Sequence, residues 1–506
     1  VKVIKPTSHV KWGPEPCSRA LKSDKNARPI WVSIWVNLTY HCRVMAAHMT
    51  IPADFVKQLQ ALEGLNSPDL LRAIEQQNPP TAVRINPRKN HALALAEKVP
   101  NTKNSFYLPE RPSFTADPAF HAGAYYVQES SSMQLEYALH LLYPSHKPAI
   151  CLDLCAAPGG KSVVISEFLG SDGILISNEI HKLRSDILVE NLQKWGTTQT
   201  LITRNEIDHF SGLEDFFDLI LIDAPCSGEG MFRKHPEAMD QWSLSRVDQC
   251  AMRQSILLEK AYHLLKPGGH LIYSTCTFNL AENELQIKRL LEMVEGESVS
   301  LPLPNGACRS EVAGIHAWRF YPHIYQGEGL FLSVVKKGGE RSPHQPRKIK
   351  SKEPSLTREM QRERQALMGS LSSPQTLLNY RGDWFEGSQA LVDVYHRISN
   401  QLYILSLGLP LGHFKGTDFI PSAALATSNR SNSWSENRLE VDQSTALALL
   451  SKGTPQINTH LKGWTLITHQ NNGLLWCKGS GTRYNNYYPK EWRIRTEWTR
   501  LLDELG

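Results

Sequence analysis

No apolar run in this chain approaches the ~18 residues of a membrane-spanning helix. No segment repeats another, and no regular spacing links its nine cysteines. The first absence argues against a membrane partner. The third argues against a disulfide framework and for a reducing compartment, so a cytoplasmic protein is expected. Paired metal-ligand spacing is missing too. Cys151 and Cys155 form a C-x3-C with no second pair, so they read as packing residues and no metal is expected. A strong charge bias is also lacking: the formal net charge of the 506 residues is +5.

Even that small excess is local. Residues 1–48 carry eight lysines and arginines against Glu15 and Asp24, a sum of +6, which leaves the other 458 residues at −1. This leader has scattered Trp, Pro and Cys and no periodicity, and it makes a poor signal peptide. The chain from Met49 onward reads like a natural start, so residues 1–48 are expected to be a disordered, non-native extension. Any affinity for nucleic acid must then come from local patches rather than from total charge.

Residues 51–77 show apolar positions at helical spacing (Phe55, Leu59, Leu62, Leu70, Leu71, Ile74) up to Pro79-Pro80. A short strand is expected at 81–87 and a helix at 91–99. From about residue 148 strands and helices alternate. Strands are expected at 149–154, 173–178, 200–203, 218–223, 269–275 and 329–335, with helices at 159–169, 181–195 and 247–265. This is the rhythm of a mostly parallel, doubly wound α/β sheet, in which ligands bind outside the carboxyl ends of the strands. Residues 336–365 hold ten basic residues against four glutamates, with Pro343, Pro346 and Pro354. They read as a basic linker, either a solvated hinge or a phosphate-contacting tether. Residues 370–506 read as a smaller α+β unit whose end alternates apolar and polar residues between Gly turns, which suits a small β-barrel.

The turn Asp153-Leu-Cys-Ala-Ala-Pro-Gly159-Gly160-Lys161 follows a strand and opens a helix. Its glycines permit close backbone approach to a ligand. It matches neither the G-x-G-x-x-G fingerprint nor a Walker A loop, where Cys155 stands in place of a glycine. Glu179, at the end of the next strand, is placed to accept from ribose hydroxyls. Asn205 or Glu206 after the third strand, and Asp223 after the fourth, are placed to line an adenine and an amine. Together these suit a nucleoside without phosphates, such as S-adenosylmethionine.

Two cysteines close neighbouring strands, Cys226 in Asp223-Ala-Pro-Cys226-Ser-Gly and Cys276 in Ser274-Thr-Cys276-Thr277. A lone cysteine is ordinarily a small buried hydrophobe. Two at adjacent strand ends beside a nucleoside turn point to covalent chemistry. A cytosine ring is a poor nucleophile at carbon-5, and a thiolate adding to carbon-6 makes carbon-5 enamine-like and reactive. One thiol would attack and a second would help release the product.

In order, these motifs resemble those of the NSUN/RsmF family of RNA cytosine carbon-5 methyltransferases, over roughly residues 51–340. The resemblance implies a Rossmann-like, S-adenosylmethionine-dependent methyltransferase domain at 123–338, with Cys276 as nucleophile and Cys226 as the release residue. It implies a methyl-donor site made of Cys155, Ala156, Ala157, Pro158, Gly159, Gly160, Lys161, Glu179, one of Asn205 and Glu206, and Asp223. It further implies a small α+β N-terminal RNA-binding unit at 49–122, a basic linker at 339–369 and a PUA-like α+β region at 370–506. RNA is the implied partner, with small-subunit ribosomal RNA or the small subunit itself as substrate; a monomer is expected. Lys161, Arg233 and Lys234 are candidates to hold phosphates, and Tyr125, Tyr126 and Gln128 to support the target base. The target base must leave any stack to reach the thiolate. Transfer RNA as substrate, and a non-catalytic RNA-binding assembly factor, are the alternatives.

Overall fold

The computed structural model describes residues 51–62, 64–339, 357–370, 376–434, 437–451, 453–457, 461–481 and 483–503. The leader expected at 1–48 and the proline-bearing part of the linker lie outside them.

The helical stretch expected at 51–77 is two helices, Ala53–Gln60 and Ser67–Gln76, with Gly64 at a φ of 73° between them. Asn66 caps the second helix, its side chain accepting from the Asp69 N–H at 3.4 Å. Phe55, Leu59, Leu70 and Ile74 bury their apolar stripe against Phe232, Trp242 and Phe278. These helices thus brace the loops that follow Cys226 and Cys276.

Strands β1 (Ala82–Ile85), β2 (Ser105–Tyr107) and β3 (Tyr125–Val127) form an antiparallel sheet of order β2-β1-β3. The sheet therefore crosses the boundary expected at 122/123. The helix expected at 91–99 is absent. That stretch is extended: Ala96 N–H donates to Tyr107 O and Val99 N–H to Ser105 O, both at 2.9 Å. Leu93 and Leu95 pack on one cluster with Val83 and Ile85, a spacing of two that suits extended chain rather than helix.

The central sheet holds β4 (Ile150–Asp153), β5 (Ile174–Asn178), β6 (Thr200–Thr203), β7 (Phe217–Asp223) and β8 (Leu265–Thr275), parallel in the order β8-β7-β4-β5-β6. The stretch Lys266–Gly269 forms an irregularity inside β8, where the register with β7 shifts. Strands β9 (Gly296–Ser298), β10 (Cys308–Ser310), β11 (Ala317–Phe320) and β12 (Leu330–Lys337) extend the sheet antiparallel beyond β8. Leu152, Ile176, Ile220 and Ile222 pack on one face, and Cys151, Leu175, Leu219 and Leu221 on the other. Burial on both faces explains the near-continuous apolar strands.

The C-terminal region holds β13 (Thr376–Tyr380), β14 (Asp383–Gly387), β15 (Ile404–Leu407), β16 (Leu409–Lys415) and β17 (Asp418–Pro421), then β18 (Arg438–Glu440), β19 (Leu461–His469), β20 (Asn472–Gly481) and β21 (Arg483–Asn486). β15 leaves this region and pairs antiparallel with β6, covering what would be an open edge of the central sheet. The rest form two four-stranded sheets, β13-β14-β16-β17 and β18-β19-β20-β21, which share a core of Trp384, Leu411, Leu466 and Trp476. The later part of the expected linker is not a solvated hinge. It forms the helix Arg358–Ser370, which buries Leu367 and accepts the Trp384 Nε1–H on Glu363 at 2.9 Å.

Candidate active site

The candidate site lies on the carboxyl edge of the parallel strands. After β4 the chain turns through Gly159, whose φ of 119° lies in the region that favours glycine, into the helix Gly160–Leu169. A Cβ on Gly160 would stand 3.2 Å from Tyr126 and 3.3 Å from the Gln128 amide nitrogen. The expected base-supporting residues Tyr126 and Gln128 are therefore buried against the back of this turn. Tyr125 is interior as well, donating its hydroxyl to Asp117 at 2.7 Å.

Backbone and side chains hold the turn rigid. Ala156 N–H donates to Asn178 O at 2.8 Å. Asn191 Nδ2 donates to Pro158 O at 2.8 Å, and Arg184 Nη2 donates to Ala157 O at 2.6 Å. Burial pushes the Cys155 thiol up, and Glu179 and Asp153 reinforce the shift. Asp153 is wholly buried. Its Oδ2 accepts from Ser162 at 2.6 Å, while its Oδ1 has no partner. Burial, reinforced by Asp223 and Glu179, pushes its carboxyl up to about 7.

At the end of β5, Glu179 accepts from the His181 N–H at 2.9 Å and pairs with Arg184 at 3.4 Å. Arg184 thus ties the second strand end to the turn, a role its place among ordinary helix charges did not signal. The two candidates at the end of β6 separate. Asn205 spends both ends of its amide on Tyr403: its Nδ2 donates to Tyr403 O at 3.2 Å and its Oδ1 accepts the Tyr403 N–H at 2.9 Å. It clasps the C-terminal region through one donor and one acceptor of its amide. Glu206 is exposed and caps the short helix Ile207–Phe210.

At the ends of β7 and β8 the two cysteine sulfurs stand 3.3 Å apart. Lys161 Nζ lies 2.9 Å from Asp223 Oδ2, and Ser274 Oγ donates to Asp223 Oδ1 at 2.8 Å. Burial works against the charge on Lys161, but Asp223, with Glu129 and Cys276, holds its ammonium above the ordinary range. The Cys276 sulfur, then burial, then Glu282 push the Cys226 thiol well above its ordinary range.

Beneath the cysteines lies a polar network that their strand-end positions gave no sign of. The wholly buried Glu229 accepts from Gln58 Nε2 and Trp242 Nε1 at 3.1 Å, Asn279 Nδ2 at 3.0 Å and the Phe278 N–H at 2.7 Å. Glu282 accepts from the Ser227 N–H at 2.9 Å and from Gln254 at 2.8 Å. Gly230 N–H donates to the carbonyl of Cys276 at 2.7 Å. The loops after both cysteines are thereby cross-linked. A legible signal was the density of acids and amides in Ser227-Gly-Glu229 and Asn279–Asn283.

Of the phosphate candidates, Arg233 is not available. Its Nε pairs with Glu328 at 3.3 Å, its Nη2 donates to Gly327 O at 2.5 Å, and its side chain is buried. It closes the site's wall instead. Lys234 is exposed.

Three stretches of the chain match family models in order. Residues 51–130 match the N-terminal domain of 16S rRNA methyltransferase RsmF, 139–336 match 16S rRNA methyltransferase RsmB/F, and 436–494 match the methyltransferase RsmF PUA domain. Curated relatives include ribosomal RNA small subunit methyltransferase F of Aeromonas hydrophila, 38% identical over 224 residues, or 43% of this chain and 46% of the relative. The protein of that name from Pectobacterium atrosepticum is 34% identical over 323 residues, 58% of this chain and 64% of the relative. The chain thus matches from under half to just under two thirds of these relatives' length. Among solved structures, PH0851 superposes with a TM-score of 0.52 at 23% identity, covering 57% of this chain and 66% of that one, which shows a shared fold. With the N-terminal, catalytic and PUA models matched in sequence order, the chain is similar to the RsmF branch of the RsmB/F family along these three stretches.

Proposed function

We propose that this chain methylates carbon-5 of a cytidine in RNA, with small-subunit ribosomal RNA as the substrate class and S-adenosylmethionine as methyl donor. The observation that carries this reading is the pair of sulfurs at 3.3 Å, at the ends of β7 and β8 and next to the Lys161–Asp223 pair. The family relatives named for small-subunit ribosomal RNA support the substrate class.

The acids Asp153, Glu179 and Asp223 at three neighbouring strand ends form an acceptor-rich set beside a glycine turn. Such a set fits a ligand with ribose hydroxyls and an amine. When bound, S-adenosylmethionine supplies an electrophilic methyl group on a sulfonium. The turn 155–161, Glu179 and Asp223 are the residues assigned to hold it.

The pair of thiols divides the work. Cys226 sits well above its ordinary range and keeps its proton at neutral pH. Cys276 is left to attack, near the Lys161 ammonium that Asp223 holds charged. Addition of the Cys276 sulfur to carbon-6 breaks the 5,6 double bond and places electron density on carbon-5. After methylation the carbon-5 proton passes to solvent water, its C–H electron pair re-forms the 5,6 double bond, and the carbon–sulfur bond breaks with Cys276 leaving as thiolate. Cys226, 3.3 Å away, is placed to act on that departing sulfur.

The test is a denaturing gel with RNA and methyl donor. Cys226→Ala should accumulate a covalent protein–RNA band, and Cys276→Ala should give neither band nor product. Reversed behaviour would overturn the role assignment. Bisulfite sequencing of ribosomal and transfer RNA from a deletion strain identifies the substrate; a lost mark in transfer RNA alone would overturn the ribosomal assignment.

A further inference from the structure

Outside the two thiols, an exposed aromatic and three cations come together at the far end of the sheet. Tyr403 lies just before β15 and is 41% exposed. The Arg381 guanidinium carbon is 4.7 Å from its ring centroid and that of Arg204 is 5.0 Å away. Arg381 Nη1 also donates to the Tyr403 hydroxyl at 3.2 Å. Lys182 is close enough, with Arg381 and Arg204, to lower the phenol's pKa. Among the described residues, none of these three cations makes an ion pair with a carboxylate. The nearby acid Glu206 is occupied in its capping turn.

The patch is built from three parts of the chain. Arg204 follows β6, Lys182 opens the helix Lys182–Trp195, and Arg381 sits at the tip of the β13–β14 hairpin. Tyr403 is fixed by the Asn205 clasp and by the Arg204 N–H, which donates to Tyr403 O at 3.0 Å. The hairpin tip adds an independent sign. Tyr380 pairs with Asp383 across a two-residue turn, Arg381-Gly382, with φ of 55° and 91°. Such turns favour Asn-Gly, because a long L side chain in the left-handed region costs about 1 kcal/mol. An arginine held there against its backbone preference is a mark of function over stability.

We propose that Arg204 and Arg381, ordered around Tyr403, form a second RNA-contacting site that holds backbone phosphates of the substrate strand away from the target base. It rests on the RNA-methyltransferase reading above. Unpaired guanidiniums stacked on an exposed aromatic are suited to phosphate and to unstacked bases, and poorly suited to an apolar partner. The location agrees. The carboxyl edge runs β8-β7-β4-β5-β6, so the patch after β6 lies four strand spacings from Cys276, roughly 19 Å at ~4.8 Å each. That is within reach of a strand whose target base is flipped at Cys276. The residues 376–434 that supply Arg381 and Tyr403 fall between the stretches matched by the RsmB/F and PUA models.

The test uses the full chain and a fluorescein-labelled oligocytidylate, with affinity read by anisotropy across a salt series. Arg381→Asn restores the turn's preferred residue, so it should keep or raise the thermal midpoint. It should nevertheless weaken RNA binding about 5-fold and lower the slope of log K against log salt by about 1. Tyr403→Phe should bind nearly as wild type, and Tyr403→Ala should lose affinity in proportion to the disordered guanidiniums. Methyl-donor affinity, read by calorimetry, should be unchanged in all three. Unchanged RNA affinity and salt slope in Arg381→Asn, with wild type binding and Cys226→Ala still trapping RNA, would overturn this site alone. Absence of RNA binding and of trapping in those two proteins would overturn the underlying reading, and this site with it.

Discussion

The Sγ atoms of Cys226 and Cys276 face each other at 3.3 Å although 50 residues separate them in sequence. Parallel pairing of β7 with β8 sets this distance, because Asp223 and Ser274 are register partners, with Cys226 three residues past Asp223 and Cys276 two past Ser274. A contact this short lets each sulfur act directly on the other.

The first prediction concerns the division of roles between them. In single-turnover assays, Cys276→Ser should lose at least about 100-fold in methyl transfer, because a hydroxyl is a far weaker nucleophile than a thiolate. Cys226→Ser should form adduct and release it slowly. Equal loss of adduct formation in both would show that the pair does not divide the work.

Gly230 supports the Cys276 loop from below. A Cβ there would lie 2.8 Å from the Cys276 carbonyl oxygen and 2.9 Å from that of Glu328, both backbone atoms that cannot swing aside. Gly230→Ala should therefore displace Cys276 and cut kcat about 100-fold while the protein stays folded. Steady-state kinetics beside a circular-dichroism melt checks this; near-wild-type kcat would show that the loop accommodates the methyl group.

Glu229 collects donors from an N-terminal helix, from Trp242 and from the loop after Cys276. Removing its carboxylate by Glu229→Ala leaves those buried donors unsatisfied. The expected cost is about 3–5 kcal/mol in urea denaturation, with Glu229→Gln intermediate because an amide nitrogen then faces other donors. A loss under about 1 kcal/mol would mean that water replaces the carboxylate.

Asp153 gives a pH dependence. Burial raises its carboxyl to about 7 in the folded state, against about 4 when unfolded. The folded state therefore holds a proton that the unfolded chain has released, and this contribution is complete below about pH 4 and lost as pH rises to about 7. Asp153→Asn keeps an acceptor for Ser162 and removes the titration. Relative to wild type it should gain on the order of 2 kcal/mol between about pH 5 and pH 8. Parallel stability-against-pH curves for the two proteins would contradict this.

Much of the site was legible because it depends on local chain features. The glycine turn, the acids at strand ends and the Pro-Cys and Thr-Cys strand ends are each set within a dozen residues. Parallel pairing then carries them to one edge of the sheet. Leu93 and Leu95 misled for the same local reason: alternating leucines and alanines suit a helix in isolation, and only the β2 strand supplies partners for an extended chain. Arg233 looked like a surface charge in its own segment; Glu328, 95 residues on, makes it an interior one.

By itself, the sequence determined the α/β rhythm, the thiol pair and the turn, since periodicity and strand ends are properties of short stretches. The tertiary structure alone decided that Asn205 holds Tyr403, that β15 seals the sheet beside β6, and that Glu229 and Glu282 knit the two cysteine loops together. Those decisions rest on hydrogen bonds between groups as far apart in sequence as Thr200 and Gly408. A buried polar group takes whichever partner packing brings within reach, and no local pattern names that partner.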